Sequence, residues 1–475
     1  MIAELKQATA PRPITVTVAD AIAAAEVCAV LERRGMACAR SEGSALVEVS
    51  GTGVIAYAPA TAPDGRTVSA LTGACARAAA AGRPVVMLVP RDEAPRGQDE
   101  RAAALALLRA SGMIPCDDPD IWLETIVLLA AYGVPSGPRV AVVAPPGSLL
   151  LASATALERE ALGTRMPPIA RDAARLGPSD VALVDRSVAT DAPERVGHTL
   201  VVPVVARGEL AMDGGERSPL VGLRAAIGAA IAAGRFAERV AAGLGPGSAA
   251  DADELGADRA RFERQLGKLG ERAGDHETKV LLSSWGVPVS RQAVATTASA
   301  AARIAKKAGY PVEIKPWGPE VMSEADGCPV ERDLGTASDV RRAFAAVARL
   351  ADLPEGTPVI VRATPRRGRE VRARIIRLPE LGWTVLVDVV TAPSVIAAPA
   401  PLRRVDADEL ARALEATRAD DPAPDHDALA DILVRASHLA VSSSAVVELE
   451  LGRILVHPRG EGAVVVDARA TLTSR

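Results

Sequence analysis

HETKVLLSSWGVPVSRQAVATTASAAARIAKKAGYPVEIKP, from His276 to Pro316, is the stretch whose reading decides the fold. Its apolar residues fall at helical spacing in HETKVLLSSWG and SAAARIAKKAG. They bunch as short extended runs in VPVS and PVEIKP. Helix, strand, helix and strand in that order open an α/β arrangement. Downstream, extended runs come in succession: PVIVRAT with EVRARIIRL, then WTVLVDVV, then VVELELGRILVHP with GAVVVDARATL. The spacing predicts strand pairs joined by hairpins, hence an α+β domain.

Upstream the rhythm differs. VIAYAP (Val54 to Pro59) and RPVVMLVP (Arg83 to Pro90) flank an Ala-rich helical stretch. A second block opens with RVAVVAPPGS (Arg139 to Ser148) and continues through VALVD and LVVPVV to an apolar helix near Leu223 to Ala242. Short Val/Ile/Leu runs alternating with helices predict parallel sheets covered on both faces. GLGPGSAADADELG (Gly243 to Gly256) reads as a linker, and a charged helix over 258–273 follows it. The domain reading is therefore 1–135, 136–245, a linker and helix at 246–270, and 271–475.

Net charge is −4 and aromatics are 2% of the 475 residues, which offers neither a basic surface nor stacking platforms for nucleic acid. Cys28, Cys38, Cys75, Cys116 and Cys328 form no CxxC pair, so buried free thiols in a reducing cytoplasm are expected. The most apolar helix carries Arg235, Glu238 and Arg239, too many charges for a membrane span.

The stretch from about Asp275 to Leu472 resembles the ATP-grasp domain of NDP-forming acyl-CoA synthetases, relatives of succinyl-CoA synthetase. The likeness rests on the acidic start, a K-x-L-L helix, a G-[IV]-P-V strand and the closing G-Y-P-V-x-x-K strand in one order. The two earlier blocks are similar to the flavodoxin-like, ligase-type domains of the same synthetases. The resemblance implies that Lys315 faces nucleotide phosphates; a surface lysine is the alternative. VVELELGRILVHPRGEGAVVVDA is similar to the family's E-x-D-x-N-P-L-x-V strand and its V-D-A. Glu448 and Glu450 fall on one strand face and are the candidate Mg²⁺ ligands, although Gly452 and Arg453 replace the asparagine and proline. PVIVRATPRRGREV resembles V-x-V-Q-x-M-x-x-G-x-E-V, which makes Arg362 and Glu370 nucleotide-side candidates, with Arg362 in place of glutamine.

Other parts of the family's equipment are missing from the pattern. Its H-K-x-D-x-G-G-V loop corresponds to MSEADGCPV, where Ser323 and Glu324 stand for histidine and lysine, while Asp326 and Gly327 persist. VDVVTAPSVIAAPA has no glycine where a phosphate-cradling loop is expected. No histidine lies between Met1 and Gly197, so the phosphohistidine loop has no counterpart in RDEAPRGQDERAAALALL. No G-x-G-x-x-G follows an early strand, and the first ~50 residues are too few for a CoA-binding Rossmann domain.

Three readings stay open. The first is a divergent, oligomeric pseudoenzyme that binds ATP and Mg²⁺ at a weakened site, with CoA binding in doubt and no catalytic residue assigned. The second is an active ADP-forming ligase subunit whose protein partner supplies the CoA-binding domain. The third is a scaffold without nucleotide. None calls for a nucleic-acid or membrane partner.

Overall fold

The computed structural model describes residues 11–41, 53–61, 63, 65–90, 97–160, 169–170, 179–189, 195–206, 217–248, 254–318, 321, 324, 327–347, 349, 356–389, 395–412, 414 and 422–473. The chain divides into two compact units, Met1–Gly245 and, in the main, Pro246–Arg475.

In the first unit, β1 (Ile14–Val18), α1 (Ala21–Arg33), β2 (Cys38–Arg40), β3 (Val54–Ala58), α2 (Gly65–Ala80), β4 (Val85–Leu88), α3 (Gln98–Ala110), β5 (Met113–Cys116) and α4 (Pro119–Ala131) build one parallel sheet. A second sheet follows from β6 (Val140–Val143), α5 (Leu149–Glu160), β7 (Ile169–Ala170), β8 (Val181–Asp185), α6 (Arg186–Ala189), β9 (Arg195–Val196), β10 (Thr199–Val205), β11 (Leu220–Val221) and α7 (Leu223–Ala242). The strand orders are β2-β1-β3-β4-β5 and β7-β6-β8-β10-β11, with β9 an antiparallel appendage of β10. Both are the 2-1-3-4-5 order of flavodoxin-like folds. Residues ahead of Val54, where no strand was expected, thus supply the first two strands of the first sheet.

Strands such as VAVV of β6 are buried at every position, as a sheet covered on both faces requires. Helix α4 starts sharply because the Asp118 carboxylate accepts from the amides of Asp120 and Ile121, with Pro119 at the first helical position. It is buried from Glu124 to Ala131 and packs along α7, so both sheets share one core. The close seat of α7 depends on Gly234, where a Cβ would stand 2.3 Å from the Gly137 carbonyl oxygen.

The second unit runs α8 (Arg259–Leu266), β12 (Arg272–Ala273), α9 (Asp275–Ser284), β13 (Gln292–Ala295), α10 (Ala298–Ala308), β14 (Val312–Pro316), β15 (Glu331–Leu334), α11 (Ala337–Val347), β16 (Val359–Ala363), β17 (Arg369–Leu378), β18 (Gly382–Val389), β19 (Val395–Pro399), α12 (Arg404–Arg412), α13 (His426–Ser442), β20 (Val446–Val456) and β21 (Ala463–Leu472). It holds two antiparallel sheets, β13-β16-β14-β15 and β12-β21-β20-β17-β18-β19.

Three local expectations need correction. PVIVRAT and EVRARIIRL are not a hairpin: β16 lies between β13 and β14, while β17 pairs with β18 and β20. Their apolar faces belong to different cores, Val359 and Val361 with α10 and α11, Val371, Ala373 and Ile375 with α13. VPVS contributes a single bridge, Val289 to Val465, because Pro288 has no amide to donate; the strand begins at Gln292. The charged helix ends at Leu266, where Gly267 caps it, instead of running to 273. Among the described residues, no helix is long and apolar enough to cross a membrane.

Candidate functional site

Strand β14, VEIKP, is buried at every residue although it carries two charges. Alternation sends Val312 and Ile314 into the core beneath α10 and α11, and Glu313 and Lys315 to the opposite face. The register sets Arg362 of β16 directly across from Glu313. That face is closed by the first turn of α9, by β21 of the larger sheet, and by Glu324 from the segment after β14.

Lys315 is 3% exposed. Its ammonium lies 3.0 Å from Asp275, 3.2 Å from Glu324 and 2.5 Å from Asp467. Arg362, 1% exposed, donates from Nε and Nη2 to Glu313 at 2.9 and 2.6 Å. Its Nη1 donates to the Val466 carbonyl at 2.8 Å and lies 2.7 Å from Glu324. Lys279, one turn after Asp275 on α9, reaches Asp275, Ser290, Gln292 and the same Val466 carbonyl. The Glu324 amide donates to Asp467 at 2.9 Å, and Arg332 and Arg453 each approach the Glu324 carboxylate to 3.4 Å.

Burial alone would neutralise such groups; pairing keeps them charged. Burial works against the Lys315 charge, but Asp275, Asp467 and Glu324 outweigh it and hold its pKa above the ordinary lysine value. Burial would raise Glu324, yet Arg362 and Lys315 pull it down to about 2. Lys279 goes the other way, to about 8, because burial and the nearby Lys315 and Arg362 outweigh Asp275. The depressed Glu324 value has a consequence for acid stability. Its contribution is complete above the unfolded value of 4.5 and is lost as pH falls towards 2. On the order of 3 kcal/mol should disappear from the second unit over that window. Urea melts at pH 6 and pH 3 should show about 2 kcal/mol of it, and Glu324→Gln should flatten the difference; an unchanged acid slope in that variant would remove Glu324 from the account.

The structure brings Lys315 and Arg362 together and leaves the other candidates apart. Lys315 is neither a surface lysine nor an open cation. Glu370 sits at the rim, where its carboxylate accepts from Arg453 Nε at 3.1 Å. Glu448 and Glu450 are half-buried on β20, with Glu450 in register with Arg374 and Arg469 on the flanking strands. Glu450 lines a separate hollow of about 170 Å³ with Arg372, Arg374 and Asp388. No group of three or more His, Cys, Asp or Glu side chains suited to a metal occurs among the described residues. Ser323 and Asp326 lie outside the described residues, as do 91–96 of the expected phosphohistidine loop and 390–394 of the glycine-free loop. His438 is buried on the Leu402 carbonyl and His457 on that of Arg367, which are structural positions.

Asp275, Glu313, Glu324 and Asp467 are the residues that sequence reasoning did not assign to the site. The V-D-A triplet and the acidic start of α9 were signals for Asp467 and Asp275. Nothing local marked Glu313 as the partner of an arginine 49 residues away.

Residues 266–472 match the family model of an ATP-grasp domain, which leaves 1–265 outside the match. The chain is 26% identical over 214 residues to the beta subunit of acetate–CoA ligase [ADP-forming] II of Pyrococcus furiosus, covering 42% of this chain and 90% of that one. It is 29% identical over 212 residues to the beta subunit of the corresponding ligase I, covering 41% and 90%. Among solved structures, the dinucleotide forming acetyl-coenzyme A synthetase 1 of Ca. Korarchaeum cryptofilum aligns with a TM-score of 0.40 and 24% identity, over 46% of this chain and 100% of that chain. The C-terminal unit therefore contains an ATP-grasp domain homologous to the beta subunits of ADP-forming acetate–CoA ligases.

Proposed function

We propose that this chain is a divergent ATP-grasp relative of the ADP-forming ligases that does not form acyl-CoA by itself. Residues 1–135 and 136–245 are its two ligase-type domains, and 271–475 its ATP-grasp domain. The observation that carries the reading is the environment of Lys315. An ammonium has three donors, and three carboxylates already surround this one. The space bounded by Asp275, Lys315, Trp317, Asp467 and Arg469 is about 10 Å³, room for one water and not for a polyphosphate. The residues as arranged do not fit a nucleotide phosphate on Lys315. No reaction step through ATP or Mg²⁺ follows from them.

The test is calorimetric titration of the whole protein with Mg·ATP. Affinity is expected to be roughly millimolar or weaker, about −4 kcal/mol, and little changed in Glu370→Gln or Glu450→Gln. Saturable micromolar binding abolished by those substitutions would overturn the reading and restore an open site.

One observation favours a second reading, a ligase subunit that works with a partner chain. The match spans 90% of two relatives whose names call them beta subunits. Thioester formed from a carboxylic acid, CoA and ATP only when a CoA-binding partner is added would establish it.

A further inference from the structure

We propose that Cys28 and Cys38 form an oxidative modification site, a dithiol that a small-molecule disulfide converts to an intramolecular disulfide, fastening α1 to the edge strand β2. The site lies in the first unit and does not depend on how the Lys315 cluster is read.

The way α1 ends brings the two thiols together. Ala24, Cys28 and Leu31 fall at i, i+4 and i+7 and form the buried stripe of the helix. After Arg34 the chain reverses at Gly35, whose φ of 74° is the left-handed conformation that glycine adopts without strain. The Gly35 amide donates to the Glu32 carbonyl and the Met36 amide to that of Leu31, the paired bonds that stop a helix sharply. Leu31 and Met36 are both buried, which holds the turn against the core. Cys38 then opens β2, in parallel register with Ile14 of β1. The Cys28 and Cys38 sulfurs, ten residues apart in sequence, come to 2.6 Å from each other.

The two thiols differ in access. Cys28 is 5% exposed, whereas Cys38 is half-buried on a strand that ends the order β2-β1-β3-β4-β5. Cys38 is therefore the attacking group and Cys28 the resolving one. The Cys38 thiolate attacks one sulfur of the small disulfide, forming a mixed disulfide and releasing one small thiolate. The Cys28 thiolate then attacks the Cys38 sulfur and expels the other. Two protein S–H bonds are lost and one S–S bond forms; two electrons from the pair reduce the small disulfide to two thiols, which take up the two protons through solvent. Burial, the hydrogen bond and charge of Cys28, and the charge of Glu32 hold the Cys38 thiol well above the ordinary cysteine range, with Arg40 opposing. The first exchange is accordingly slow at neutral pH. The second is intramolecular, between sulfurs already in contact. Slow entry followed by fast closure suits a lasting modification and not a catalytic cysteine.

The bond closes the loop that carries Arg34, whose guanidinium reaches Glu124, Ser218 and Pro219. Closure restricts that loop in the unfolded chain, so the folded first unit gains stability when the pair is oxidised.

Peptide mapping of the full-length protein, equilibrated with glutathione at increasing oxidised fraction, tests the proposal. Trypsin cuts after Arg33 and Arg34, so the bond appears as a linked pair of peptides that separates on reduction. The linked pair should dominate at high oxidised fraction. Melting of the first unit, followed through the buried Trp122, should move up by roughly 5–10 °C and return when dithiothreitol is added. Cys28→Ala and Cys38→Ser should each abolish both changes. Should Cys28→Ala fail to fold, Cys38→Ser at the half-buried edge and the wild-type map carry the test. Cys75, Cys116 and Cys328, whose thiols burial pushes up to about 12, 12 and 11, should stay reduced throughout. Glutathione on Cys38 with no linked peptides at any ratio overturns the proposal, as does a pair left untouched. Oxidation of the other three cysteines at the same ratio overturns it too, since that chemistry belongs to an unfolded chain. Linked peptides with an unchanged melting temperature overturn the fastening of α1 to β2.

Discussion

Lys315→Met is expected to destabilise the C-terminal unit by about 3–5 kcal/mol, the cost of leaving buried charges without their partner. Methionine preserves most of the side-chain volume, so the cost is electrostatic and not a cavity. Asp275, Asp467 and Glu324 would remain within a site that is almost closed to water, and each would be left one cation short. Protonation of one carboxylate would relieve part of the strain, so the penalty should shrink as pH is lowered from 7 to 5. Adding Asp467→Asn should recover some of the loss for the same reason. Urea unfolding followed through Trp285, which is fully buried in this unit, reads the effect. A solvent-facing phosphate-binding lysine behaves differently: its removal changes stability by about 0.5 kcal/mol or less. A loss that small would show that the cluster is hydrated and open, against the closed-site reading.

How much of this was legible beforehand depends on the range of the interactions. The parallel sheets of the first unit follow from short apolar runs, which need no partner to be recognised. ITVTV of β1 escaped because its threonines interrupt the run, although Thr17 is fully buried. In the second unit the order of elements was readable from His276 to Pro316, because each helix and strand has its own period. What could not be read was which core each strand joins. β16 and β17 are adjacent in sequence and lie in different sheets, a choice made by packing alone. The site shows the same division. Lys315 and Arg362 stood out by resemblance, but their burial contradicts the ordinary preference of charged residues for the surface. It is possible only because Asp467, 152 residues from Lys315, and Glu324 complete the cluster. A charged strand interior such as VEIKP is therefore a sign of long-range pairing, with the partner's identity left to the fold.

Glu124→Ala should be as damaging to the first unit, again by about 3–5 kcal/mol. Arg34 caps the C-terminus of α1, and its guanidinium forks onto Glu124 of α4 at 2.7 and 2.9 Å. It also donates to Ser218 Oγ and the Pro219 carbonyl, while the Val221 amide donates to Glu124. One ion pair thus ties a helix of the first sheet, the shared helix α4 and the last strand of the second sheet. Both side chains are nearly closed to solvent, at 6% and 4% exposure. Alanine at 124 leaves Arg34 charged, since a guanidinium does not give up its proton, and removes the acceptor of the Val221 amide. The apolar pair Arg34→Met/Glu124→Leu strands no charge, so it should cost less than Glu124→Ala alone even though it changes more atoms. Trp122, buried beside Glu124 and donating to the Val86 carbonyl, reports the transition. If the double variant proves the less stable of the two, the pair contributes net attraction beyond mutual neutralisation. If Glu124→Ala costs under about 1 kcal/mol, water reaches Arg34, and the two sheets are joined by their common apolar core without help from the ion pair.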